Sequence, residues 1–322
     1  MTTTAVALET VKVLAQAYGQ NWALYNGDSA LVLKGLPTAS VGLVVTSLPF
    51  SNVYSYTPSV HDLGNTVNAL QFFRQFKFMT TEMKRVLMPG RIFAIHCKNL
   101  PLYSTRDGVS GRWDFRGMII RHMVKQGYIY HSEVTIDKDP RIPAKAYHAQ
   151  NLLYVTLHRD SSKSGSCEAD YICFFRTPGE NPIPIKNDIT HPEWVTMAHP
   201  VWTDISEVDV IPPAKNMVSL NGMMSDDARH LCPLQKLPVS RCIRLYSNPG
   251  EVVCDLFNGI GTVGVVSMEL GRRYVGVELN EGYFNAAVKN IQEAEALQEQ
   301  GDLFSTHGIE VESRFDNLQA AI

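Results

Sequence analysis

Residues 251–280, EVVCDLFNGIGTVGVVSMELGRRYVGVELN, decide the fold. The apolar run EVVCDLF breaks at glycines, GTVGVVSMELG then has a helical texture, and RRYVGVEL is a second apolar run ending on the acid Glu278. Strand, glycine turn, helix and strand in that order predict a βαβ unit of a mainly parallel sheet. Gly259, Gly261 and Gly264 carry the GxGxxG spacing, and Glu278 lies 278 − 259 = 19 residues after the first of them. Taken literally this is the dinucleotide fingerprint, and its physics serves adenosine cofactors generally: glycines let the backbone approach the ligand, and a carboxylate accepts from both ribose hydroxyls. The competing explanation is that the glycines serve only a tight strand-to-helix turn.

Outward from this unit the same rhythm recurs. NEGYFNAAVKNIQEAEALQ follows as a helix and LPVSRCIRLYS precedes as another. Far upstream, VGLVVT (residues 41–46) reads as a buried strand ending at Ser47-Leu48-Pro49-Phe50, and a polar, aromatic loop, SNVYSYTPSVHDLGN, follows it. The spacing from Val67 to Leu87 predicts a helix stopped by Pro89-Gly90, with RIFAIHC as the next buried strand. Residues 5–17 are predicted helical, Trp22–Tyr25 a short strand, and Asn26-Gly27-Asp28 a turn. Too little chain follows Glu278 to build the second half of a dinucleotide fold, so the missing strands must come from before the glycine loop. That permuted order is unusual for a dehydrogenase.

Between about 139 and 229 the texture changes, with nine of the 17 prolines between Pro140 and Pro213 and only short apolar runs such as YICFFR. Three regions are therefore expected: 1–138 as one half of a catalytic domain, 139–229 as a loop-rich recognition insertion, and 230–322 as the cofactor-binding half of the same domain. The fold class expected is α/β, a Rossmann-like sheet with helices on both faces. The chain has 322 residues, 45% of them hydrophobic, and no apolar run near the roughly 20 residues of a membrane span. MTTTAVALETVKVLAQ places Glu9 within its apolar pattern and lacks a basic leader, so a cytoplasmic location is expected and no membrane partner. Six cysteines without a CxxC pair argue against a zinc site, and no metal is expected. The net charge of −3 neither favours nor excludes a nucleic-acid partner, since only the phosphate-facing surface must be basic.

In combination these motifs resemble the DNA amino-methyltransferases whose catalytic motif precedes the cofactor motif, phage and prophage members above all. DLFNGIGTVGVVSMELGRRYVGVELNEGYFNAA is similar to that family's cofactor segment, TSLPF to its S/D/N-P-P-Y/F tetrapeptide, RVLMPGR to the joint that follows, and HLCPLQK to its HPxQKP element. Two positions depart from the pattern: Leu48 stands at the first proline of the tetrapeptide and Leu256 at the proline of DPF. The resemblance implies S-adenosylmethionine as cofactor and double-stranded DNA as partner, within restriction–modification, acting on adenine N6 or cytosine N4. It further implies that Phe257, Gly259 and Gly261 line the cofactor, Asp255 lies near its amino group, Glu278 holds the ribose and Asp28 lies near its adenine. Ser47, Leu48, Pro49 and Phe50 would hold the target base. A methyltransferase acting on RNA, a non-catalytic nucleic-acid-binding relative and a homodimeric assembly stay open at this level.

The chemistry explains the tetrapeptide. An exocyclic amine is a poor nucleophile because its lone pair is delocalised into the ring, and acceptors on its two N–H bonds favour a pyramidal nitrogen. The Ser47 hydroxyl and Leu48 carbonyl are such acceptors, and the Phe50 ring can stack on an extruded base. Tyr54, Tyr56, His61 and Asp62 are placed to receive that base, or else simply pack their loop. Leucine at 48 keeps the carbonyl but frees a torsion that proline would fix, so Leu48→Pro is expected to preserve or raise the rate. Cys97 and His96 read as ordinary neighbours in the strand end, and the cations Lys138, Arg141, Lys145, Arg159 and Lys163 as candidate DNA contacts.

Overall fold

The computed structural model describes residues 13–50, 55–139, 154–163, 165–186, 189–212 and 234–306. Its main sheet uses β1 (Ala15–Tyr18), β2 (Trp22–Asn26), β3 (Val41–Ser47), β4 (Leu87–Lys98), β7 (Ile129–Ile136), β8 (Asp170–Arg176), β9 (Val201–Trp202), β10 (Val252–Asp255) and β11 (Arg273–Glu278). β5 (Leu100–Leu102) and β6 (Gly111–Trp113) form a separate two-stranded ribbon. The order across the main sheet is β1-β2-β11-β10-β3-β4-β8-β7-β9. The run from β2 to β4 is parallel throughout, while β8 is antiparallel to both β4 and β7.

The longer helices among the described residues are α1 (Ala69–Val86), α2 (Phe115–Lys125), α3 (Tyr154–Asp160), α4 (His191–Met197), α5 (Lys236–Tyr246), α6 (Thr262–Glu269) and α7 (Glu281–Thr306). α1 forms because Phe72, Phe76, Met79, Met83 and Val86 recur on one helical face and the Asn68 side chain accepts from the Gln71 N–H at its start. The strands are apolar on both faces because both are covered. Leu43, Val45, Ile92 and Ala94 fall in one buried cluster, and their alternate neighbours Val44, Phe93 and Ile95 in the other. The expected α/β class, with a Rossmann-like sheet, is the fold observed.

Two expectations change. Ala15–Ala17, placed in a helix by the sequence, instead form with Tyr18 an edge strand antiparallel to β2, and residues 5–12 of that expected helix lie outside the described residues. The alternating AQAY gains ladder hydrogen bonds from the open edge of β2, which outweigh a weak helical preference. The loop-rich stretch 139–229 is also not set apart from the sheet, since it contributes β8 between β4 and β7 and β9 at the edge.

Candidate active site

β3 and β10 are neighbours, yet the chain leaves them in opposite directions: β3 leads through α1 to β4, and β10 through α6 to β11. Loops beyond the carboxyl ends of such strands diverge and leave a crevice. Here the crevice is an open cleft, lined by residues at and beyond the ends of β2 (Gly27, Asp28), β3 (Ser47 to Phe50), β10 (Asp255 to Ile260) and β11 (Glu278, Leu279).

On the β10 side, Asp255 is buried, and its Oδ1 accepts from Thr46 Oγ1 (2.6 Å) and from the Phe257 N–H (3.0 Å). Neither bond uses Oδ2. Burial pushes Asp255 up to about 6, against the opposing pull of these two donors. Glu278 takes the Gly259 N–H on Oε2 (2.7 Å) and the Asn280 N–H on Oε1 (2.8 Å). Burial nevertheless pushes its carboxyl up to about 8. Gly259 and Phe257 line the cleft, and an ideal Cβ on Gly259 would meet no heavy atom within 4 Å. Gly261 does not line it. Its φ is +93°, and a Cβ there would press on Ala287 (3.2 Å) and Ile291 (3.3 Å) of α7, so this glycine serves the packing of α6 on α7 rather than ligand contact.

On the β3 side, the sequence of TSLPF places Ser47 at the strand end with its Oγ 2.9 Å from His96 Nδ1, in the parallel register that pairs these residues on β3 and β4. His96 is buried, and its Nε2 lies 3.3 Å from Asp170 Oδ2 at the start of β8. Burial alone would raise Asp170, but contact with His96 and the charges of Lys138 and Lys98 outweigh it and hold the carboxyl well below the usual carboxylate range. Leu48 donates its N–H to the His96 carbonyl (3.2 Å) and buries its side chain. The Phe50 ring lies 4.4 Å from the Lys98 ammonium, a cation–π contact.

The loop after β3 closes the cleft. Asp62 organises it, accepting from the Tyr56, Thr57 and Gly64 N–H groups. Tyr56 lies edge-on to Tyr283 (6.4 Å), and its carbonyl accepts from Asn280 Nδ2. His61 pairs with Asp28 (2.8 Å), bridging the two walls. Tyr54 lies outside the described residues. Sequence reasoning missed the partnership of Ser47 with His96 and Asp170, because it depends on a register between strands and on an acid opening a strand in the stretch read as loop. The one signal was DYICFFR itself, a strand pattern led by an acid. Lys138, expected to face DNA, is half-buried and turned to Asp170 and Glu207 (3.0 Å each), because its ammonium neutralises two inward carboxylates.

Four carboxylates, from Asp28, Asp62, Asp255 and Glu278, line the cleft, and no lysine or arginine does among the described residues. Such walls offer a pyrophosphate no cation, and a ligand carrying a sulfonium and an ammonium would draw the buried Asp255 and Glu278 toward their ionised forms, so the residues present fit S-adenosylmethionine.

Comparison with known proteins points the same way. The family model described as DNA methylase matches residues 41–289. The type II methyltransferase M.BamHI of Bacillus amyloliquefaciens is 26% identical over 281 residues, 80% of this chain. The chain spans about half of that relative's length (54%). M.Cfr9I of Citrobacter freundii is 22% identical over 84% of this chain and 87% of its own. Among solved structures, a Thermus thermophilus protein described as a putative DNA modification methylase, complexed with S-adenosyl-L-methionine, superposes with a TM-score of 0.62 at 22% identity, covering 84% of this chain and 93% of that one. The cytosine-N4-specific PvuII DNA methyltransferase gives 0.60 at 19% identity, covering 87% and 93%. At these identities the structural likeness speaks for the fold.

Proposed function

This chain belongs to the N6/N4 DNA methylase family, and we propose that it transfers the methyl group of S-adenosylmethionine to an exocyclic nitrogen, adenine N6 or cytosine N4, of a base turned out of double-stranded DNA. One observation carries the reading: an acidic cleft opens directly onto the strand end that presents Ser47, Leu48, Pro49 and Phe50.

Glu278 holds the ribose hydroxyls, Asp255 offers Oδ2 to the amino group, and Phe257 and Gly259 form the floor. Asp28 lies toward the adenine, and Gly261 supports this wall from behind. When bound, the cofactor supplies an electrophilic methyl group on positively charged sulfur. The Ser47 hydroxyl and Leu48 carbonyl accept the two N–H bonds of the target amine, which directs its lone pair into the cleft. Phe50 provides an apolar face for the base, and the protein's main contribution is alignment of the reacting atoms. Turning the base out costs a few kcal/mol. The 139–229 stretch is the part we assign to DNA recognition; supporting this, α4 buries none of its side chains and Arg159 of α3 is exposed.

Transfer of labelled methyl from cofactor to DNA, with nucleoside analysis of the product, tests the assignment. N6-methyladenine or N4-methylcytosine is the expected product, and Ser47→Ala lowers the rate while S-adenosylhomocysteine affinity, read calorimetrically, stays unchanged. Label in RNA and not DNA, or in neither, would overturn it.

A further inference from the structure

The tetrapeptide accounts for Ser47 but leaves unexplained why a buried histidine and a half-buried aspartate stand in line behind it. His96 is 7% exposed, its Nδ1 lies 2.9 Å from Ser47 Oγ, and its Nε2 lies 3.3 Å from Asp170 Oδ2 without the alignment of a linear hydrogen bond. From these contacts we infer that His96, oriented by Asp170, takes up the proton released by the target amine, with the Ser47 hydroxyl as the bridge. The inference rests on the amino-methyltransferase reading of the cleft.

A neutral imidazole has one N–H and one acceptor nitrogen, and its surroundings select which is which. Asp170 on the Nε2 side is held anionic by Lys138 (3.0 Å), so the proton belongs on Nε2. Nδ1 is then the acceptor for the Ser47 hydroxyl, and the remaining lone pairs of that oxygen are free to accept from an amine in the cleft. The charged and titratable groups around the ring are few. Asp170 faces it from β8, Lys138 stands behind Asp170 at the end of β7, Lys98 follows on the same strand, and Glu207 is turned to Lys138.

As the nitrogen–carbon bond forms, the methyl–sulfur bond breaks with its electron pair left on sulfur, and the nitrogen becomes cationic. One N–H proton passes to Ser47 Oγ while the hydroxyl's own proton passes to His96 Nδ1. The products are a neutral methylamino base and an imidazolium beside the Asp170 carboxylate, which returns its proton by the same hydroxyl once the base has left and water re-enters. His96 is thus a positioning residue that reaches the amine only through Ser47.

His96→Asn keeps a hydrogen-bonding group facing Ser47 but has no base to take the proton. General-base assistance typically supplies 10²–10⁴-fold, so kcat should fall about 100-fold. KM for DNA and affinity for S-adenosylhomocysteine should hold, and the acid-side inflection in the wild-type kcat–pH profile should vanish. A variant as fast as its parent, or with the parent's pH profile, overturns the inference. Long-range ¹H–¹⁵N NMR of histidine-labelled, cofactor-free protein reads the arrangement independently of turnover. Nδ1 should be unprotonated, with a shift that moves in Ser47→Ala, and the single tautomer should be lost in Asp170→Asn; a proton on Nδ1 overturns the inference. An inactive wild-type enzyme showing the expected NMR signature would instead sink the functional reading while sustaining the hydrogen-bond relay.

Discussion

Leu48 departs from the family's proline, and its surroundings supply the reason. Its N–H donates to the His96 carbonyl, and its side chain is 2% exposed in the cluster holding Val44, Phe50 and Leu256. Proline would delete the donor, leave that carbonyl without its partner and remove apolar contact. The expectation from sequence alone, that Leu48→Pro preserves or raises the rate, therefore reverses: the variant should lose on the order of 1–3 kcal/mol of stability in urea denaturation and be no faster. Glu278 makes a prediction of the opposite kind. Its folded-state value of about 8 lies well above the ordinary glutamate value of about 4.3. Between those limits the unfolded chain has released a proton that the folded one retains, so the stabilisation is complete at acid pH and disappears as pH rises through 8. Asp255, raised to about 6, acts in the same direction over a narrower window. The melting temperature of cofactor-free protein should fall from pH 5.5 to 8.5, and Glu278→Gln should flatten that fall. An equal fall in the variant would show that the burial of Glu278 is not its source.

At the scale of elements, the glycine loop was legible as a turn but not glycine by glycine. Spacing cannot tell which glycine faces a ligand and which faces a helix, because both need the same local backbone. Gly261 initiates α6 at φ +93° and lies against Ala287 and Ile291, whereas Gly259 borders open cleft. Gly261→Ala should therefore cost about 1–3 kcal/mol of backbone strain and packing, visible as a lower melting temperature, with affinity for S-adenosylhomocysteine nearly intact in the protein that folds. Gly259→Ala, at φ +53° with open space for its Cβ, should weaken that affinity and also carry the strain of a left-handed alanine, so affinity in the folded protein separates the two; a Gly261 variant of normal stability but weakened affinity would return that residue to the cofactor site. The strongly periodic elements, α1 and the strands around the loop, lie where their patterns put them because apolar spacing and burial coincide there. β1 escapes such reading because a four-residue edge strand owes its state to the neighbour it pairs with.

At the scale of the molecule, the permuted order was readable from arithmetic on the chain, since the strands missing after Glu278 had to come from before the loop. The place of β8 was not readable, because the polar, proline-bearing segments around it resemble an insertion while its apolar centre, buried on both faces, belongs to the sheet. The ring of acids in the cleft was hidden as well, since Asp28, Asp62, Asp255 and Glu278 are brought together only by the crossing of the sheet. That crossing has a further consequence during synthesis. β10 and β11 insert between β3 and β2, so the two earliest parallel strands of the sheet are never direct neighbours. From the emergence of Ser47 to that of Glu278 the ribosome adds 231 residues (278 − 47), which at about 5–20 residues per second takes roughly 10–45 s. Asp170 emerges 123 residues after Ser47 (170 − 47), and the wall for the cofactor stays incomplete until Glu278 emerges, so the strand edges of β2 and β3 must be shielded by the chain's own early helices or by chaperones, and the cleft is complete only with β11.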